Sequence, residues 1–274
     1  MTFGTYGIDS RTLHWFQIKV LMRLERKMFH LLHQALFYLH VTVGGLGLLV
    51  FWLPVLSKKG TKFHNQAGKV FVYSMYIIAL SGLAMSVLIL IDPVGVRFPD
   101  RSLSIGEAYE LKDQNRRLSI FLLMLSLLTL VNVKHSILVL KAKKNRDLLK
   151  APSHLACFAA LILAGITVGL VAFYESNLLY GLFSLLSITL SFSAFRYIYK
   201  PEIKPREWIM EHMANILGAG IAAYTAFFAF GGRRFFSEIL LGNMQFIPWL
   251  LPSVVGATAI YFLSKKYRQV YKIA

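Results

Sequence analysis

Apolar residues run along this chain in long blocks, separated by short polar connections. Seven such blocks, at about 34–56, 69–91, 118–140, 153–174, 177–199, 208–230 and 246–264, approach the ~20 residues that a helix needs to cross ~30 Å of hydrocarbon. The pattern predicts an all-α fold: a polytopic transmembrane helical bundle of about seven spans, forming one domain over 34–264 with a basic tail at 265–274. Ahead of it, residues 1–33 set Lys19, Arg23, Arg26, Lys27 and His30 on one helical face and Leu13, Phe16, Val20, Leu24 and Leu31 opposite. That is the pattern of a basic amphipathic helix lying at the bilayer surface, and equally of the solvated start of a long first helix. The second and third spans are joined by a long polar segment read as a loop, with a short helix around Ile105–Leu111. The fourth and fifth are joined by little more than YESN, a tight hairpin. The half-apolar stretch GGRRFFSEILLGNMQFIP (231–248) is expected in the membrane interface.

Composition sharpens the class. Hydrophobic residues make up 56% of the 274, charged residues only 16%, and mean hydropathy is +0.56. Those values exclude a soluble enzyme, a coiled coil and a disordered chain. The net charge of +17 would suggest nucleic acid in a soluble protein. Here the basic residues sit in loops and at span ends, so the expected partners are the lipid bilayer and its anionic headgroups, with no nucleic acid. Seventeen lysines and arginines fall on the side holding 57–69, 141–150, 196–206 and the C-terminal tail, against twelve on the other. The excess predicts a cytoplasmic C-terminus and an N-terminus outside. The first residues, MTFGTYGIDSRTLHWF, lack the basic start, short apolar core and cleavage site of a signal peptide, so insertion is expected to rely on internal spans.

Candidate chemistry is sparse. The single cysteine, Cys157, excludes an intrachain disulfide and a Cys-rich metal site, and reads as a packing residue. No Asp or Glu falls near the middle of any span, which counts against a proton- or cation-coupled transporter; Glu207 and Glu211 come closest. Histidines are the stronger signal. His64, His135, His154 and His212 lie toward one face, and imidazole binds zinc, copper and haem iron without help from thiolates. Converging, these four could hold a divalent metal, and two on facing helices could hold haem b. Otherwise they are headgroup-facing or hydrogen-bonded at helix ends. His40, beside Gly44, Gly45 and Gly47, reads as a ligand or as an interhelical hydrogen bond to a Ser, a Tyr or a carbonyl. Lys134 sits within an apolar run and can snorkel toward the headgroups. Small residues repeat every four positions at Gly165 and Gly169, and again at Ala214, Gly218, Ala222 and Ala226, permitting close helix contact. Walker, dinucleotide and GxSxG motifs are absent, as is a retinal lysine inside the seventh span.

Two segments carry a family resemblance. SKKGTKFHNQAGKVFVYSMYIIALSG supplies Lys59, Gly60, His64, Gly68, Tyr73 and Met75, preceded by His40, Gly44 and Gly45; HMANILGAGIAAYTAFFAF supplies His212, Thr225, Ala226 and Phe227, followed by PWLLPSVVG. Together they resemble uncharacterised bacterial membrane proteins grouped as domain of unknown function 2306. The resemblance covers spans one, two, six and seven, and the middle matches only in hydropathy. It implies a bacterial inner (cytoplasmic) membrane location and favours His40, His64 and His212 as cofactor-binding residues, but brings no activity. Three readings stay open. One is a redox or metal-binding module with haem b or a divalent metal, exchanging electrons with quinone. Another is a non-enzymatic accessory or assembly subunit working with other membrane subunits. The third is a carrier of small molecules or lipid using Lys134 and Arg196. Catalytic residues are not assignable from the sequence.

Overall fold

Each apolar run folds as a helix whose ends coincide with capping residues or with proline. In the computed structural model, which describes residues 10–232, 244 and 246–271, these helices are α1 (Ser10–Leu56), α2 (Lys62–Ile91), α3 (Ile105–Ala142), α4 (Pro152–Glu175), α5 (Leu178–Tyr199), α6 (Glu207–Ala226) and α7 (Ile247–Val270). A π-helical turn, Phe227–Gly231, extends α6, and a 3-10 turn, Arg146–Lys150, links α3 to α4. Among the described residues, seven helices are long and apolar enough to cross a membrane, so this is an integral membrane protein. Thr61 caps α2 by accepting from the His64 backbone, and Asn177 caps α5 by accepting from Tyr180. Pro152, whose missing N–H costs nothing at a helix start, opens α4. At the end of α1, Lys59 donates to the carbonyls of Pro54 (2.7 Å) and Val55 (2.6 Å), filling the role of a C-terminal cap.

The third helix organises the bundle, packing against α2, α4 and α6. On one flank Phe121, Met124, Leu128 and Val131 join Phe158 and Leu161 of α4 and Phe183 and Ile198 of α5. On the other, Val133 joins Phe71 and Met75 of α2, Phe51 of α1 and Leu217 of α6. Lipid tails are as apolar as these side chains, so fit rather than water exclusion holds the helices together. The α4–α5 hairpin shows how: Gly165 and Gly169 face Ser187 and Ser184, and Ser184 donates to the Gly165 carbonyl at 2.7 Å. On α6 the closest approach falls at Gly220, where a Cβ would strike the Phe51 ring, while Gly218 only nears Asn132. The tightest contact thus falls two residues from the predicted stripe at 214, 218, 222 and 226, on the other side of α6. The outermost helix, α7, has no buried residue and seats Gly256 over Ile221 of α6.

Two elements exceed their predicted lengths most. The first is α1, whose 47 residues make one unbroken helix of ~70 Å. The amphipathic segment and the first span are therefore continuous. Arg26 Nε meets Asp92 Oδ2 at 3.3 Å, just past the end of α2, and the residues before it overhang that helix. The second is α3, which starts at Ile105 rather than near 118 and absorbs the predicted short helix. Ser104 and Glu107 form a reciprocal capping box there, and Arg117 pairs with both Asp113 and Glu175. Most of the stretch expected in the interface, 233–243 and 245, lies outside the described residues.

Candidate functional site: a buried imidazole pair

Consecutive residues of α3 meet consecutive residues of α6. His135 reaches Glu211 and Ser136 reaches His212, a register set by the packing of the two helices. His154, in the first turn of α4, closes on His135 from the other side. Both imidazoles are 0% exposed, so each ring nitrogen without a partner is a cost. The rings lie near-parallel at 8°, with His135 Nδ1 3.0 Å from His154 Nε2. The other nitrogen of His135, Nε2, lies 3.1 Å from Glu211 Oε1. Asn215, one turn along α6, donates to the same oxygen at 3.0 Å. Phe158 meets both rings edge-on, and Tyr197 stands perpendicular to His135.

The chain of contacts has a direction. An ionised Glu211 accepts, so His135 must carry its proton on Nε2 and present Nδ1 as an acceptor. His154 then donates from Nε2, which leaves its own Nδ1 as a bare acceptor. That Nδ1 is buried and has no hydrogen-bond partner among the described residues. A proton arriving there can be balanced by two transfers, His154 Nε2–H to His135 Nδ1 and His135 Nε2–H to Glu211. The far end is open, since the Glu211 side chain keeps 22% exposure. Imidazole is the side chain suited to such relay because it can donate and accept at once. Lys134 reaches the start of α4, where it donates to the Ser153 carbonyl (3.0 Å) and to Cys157 Sγ (3.3 Å), beside the His154 turn.

The remaining candidates are distributed. His212 Nδ1 lies 2.7 Å from Ser136 Oγ and 3.2 Å from the Ser136 carbonyl. His64 Nδ1 is 3.0 Å from the Pro54 carbonyl at the α1–α2 corner. His40 Nδ1 is 2.9 Å from Ser81 Oγ in the α1–α2 seam. In all three, Nδ1 is fixed by an oxygen. The structure thus joins His135 with His154. It does not gather all four into one cluster. Among the described residues no group of three or more His, Cys, Asp and Glu side chains is arranged to hold a metal ion. Arg196 is exposed on α5. Glu211, Asn215 and Tyr197 are the additions that the sequence reading does not link to the histidines.

No family model, curated protein or solved structure matches this chain.

Proposed function

We propose that this membrane protein takes up protons at the His154–His135–Glu211 chain and couples their passage to its activity. The observation that carries the reading is the buried Nδ1 of His154, an acceptor left open at the end of a directional hydrogen-bond chain. The imidazole pair links the partly exposed Glu211 carboxylate to a fully buried acceptor, so the carboxylate itself need not lie mid-span. The charge distribution favours the cytoplasmic side for the pair's end of the bundle, with the N-terminus outside, and the family resemblance implies that the membrane is a bacterial inner one. The test is proton flux. Protein reconstituted in vesicles with an internal pH-sensitive dye is driven by an imposed potential, and internal pH is followed. Wild type should equilibrate faster than protein-free vesicles, and His135→Asn should remove most of the difference. Equal rates for wild type and protein-free vesicles would contradict the proposal.

A second reading rests on a different observation. In His40, His64 and His212 the Nδ1 is held by oxygen, the arrangement that orients Nε2 toward a metal in metalloproteins. A divalent metal or haem b would be sought at those Nε2 atoms, His64 and His212 first. Oxidised and reduced absorption spectra with elemental analysis of one purified sample decide it. A Soret band or a stoichiometric metal, lost in His212→Ala, supports this reading, and a colourless, metal-free protein removes it.

A further inference from the structure

At the opposite end of the bundle, basic side chains converge with too few carboxylates to neutralise them. Arg26, His30 and His33 stand at i, i+4 and i+7 on α1 and so share one face. That face meets the turn after α2, where His30 Nδ1 lies 2.7 Å from the Val96 carbonyl and Arg26 pairs with Asp92. The turn is well ordered: Asp92 accepts from the Gly95 N–H at 2.9 Å, Phe98 N–H donates to the Val94 carbonyl at 2.7 Å, and Val96 is wholly buried. The turn places Arg97 next to Val96, whose carbonyl meets His30, and burial with the neighbouring Arg97 and His30 lowers the His33 pKa.

Arg97 is the anomaly. Arg26 has Asp92, and Arg117 has Asp113 and Glu175, yet among the described residues the half-buried Arg97 has one neutral acceptor, Asn115 Oδ1 at 3.2 Å. Asn115 is itself held by the Pro93 carbonyl at 2.8 Å, so it is a fixture rather than a counter-charge. Burial lowers the tendency of this guanidinium to stay charged, the opposite of what an ion pair would do. A guanidinium presents five donors in a planar fork, which matches the oxygens of a phosphate.

We propose that Arg97, His33, His30 and Arg26 form a binding site for a phosphate group at this end of the bundle. The level of the site, where α2 ends, is the level of lipid headgroups, and a soluble phosphate compound presents the same oxygens.

Thermal unfolding of the full chain, followed by tryptophan fluorescence, separates the two sources. The protein is placed in phosphatidylcholine nanodiscs with increasing phosphatidylglycerol, or in phosphatidylcholine alone with added inorganic phosphate. A midpoint that rises with phosphatidylglycerol identifies a lipid phosphate, and one that rises with inorganic phosphate a soluble one. In either case Arg97→Gln and His33→Ala should weaken half-saturation about tenfold, the loss of one charge-assisted hydrogen bond. Lys144→Gln, on the opposite side, should leave it unchanged. If Arg97→Gln does not yield folded protein, His33→Ala carries the test. No rise for wild type with either probe, or an undiminished rise in His33→Ala, overturns the proposal.

Discussion

Glu211 and His135 have separable roles in the buried chain. The Glu211 carboxylate accepts from His135 and from Asn215, and a glutamine oxygen can accept both bonds while being unable to take a proton. Glu211→Gln should therefore keep stability within about 1 kcal/mol, the net worth of one hydrogen bond, and abolish proton flux. His135→Ala strands the buried His154 Nε2, takes one of two donors from Glu211 and opens a cavity, so it should lose flux and cost about 2–5 kcal/mol besides. Thermal unfolding and vesicle flux on the same two variants check this, and parallel losses in both would refute the separation. The imidazoles are legible in the sequence as helix-end histidines. Glu211 is legible only as a first-turn carboxylate, because its partner lies 76 residues away and the match depends on the register of α3 against α6. The same holds for Ser136 and His212. His40 shows the converse case: an interhelical bond to serine was one of its two sequence readings, and Ser81 supplies it.

At the scale of elements, the spans follow from the sequence because a bilayer accepts only long apolar helices. What lies beyond the apolar runs is harder to read. EAYELKDQNRR carries too many charges to look like part of a span, yet it folds as the start of α3 once the Ser104–Glu107 box caps it. Likewise the basic stretch of α1 shows no break before the first span, so nothing stops the helix between Ser10 and Leu56. Helix contacts depend on where small residues face. Gly220 lets α6 approach α1 at Phe51, so Gly220→Val should overpack this seam and destabilise by about 1–3 kcal/mol. Phe51→Ala in the same chain should recover part of that loss, because it removes the atoms that a new Cβ would strike. Thermal midpoints of the two single variants and the double variant form the cycle, and strict additivity would place the contact elsewhere.

For the whole molecule, the alternation of seven helices puts the imidazole pair and the Arg97 cluster at opposite ends. The 141–150 segment, with Lys141, Lys143, Lys144, Arg146 and Lys150, adjoins the first, and the turn between α2 and α3 carries the second. The charge excess predicts the former in the cytoplasm. In a Cys157→Ala background, Lys144→Cys should resist an impermeant maleimide in intact cells and react after lysis, whereas Ser102→Cys should react in both. The reverse labelling would invert the topology and with it the side from which Glu211 exchanges protons. Proton uptake at this chain depends on the protonation of two buried rings, and nitrogen-15 NMR of histidine-labelled protein in bilayers reads it directly. His135 and His154 should both carry their proton on Nε2, with a correlation across the His154 Nε2–H to His135 Nδ1 bond. Either ring protonated at Nδ1 instead would contradict this.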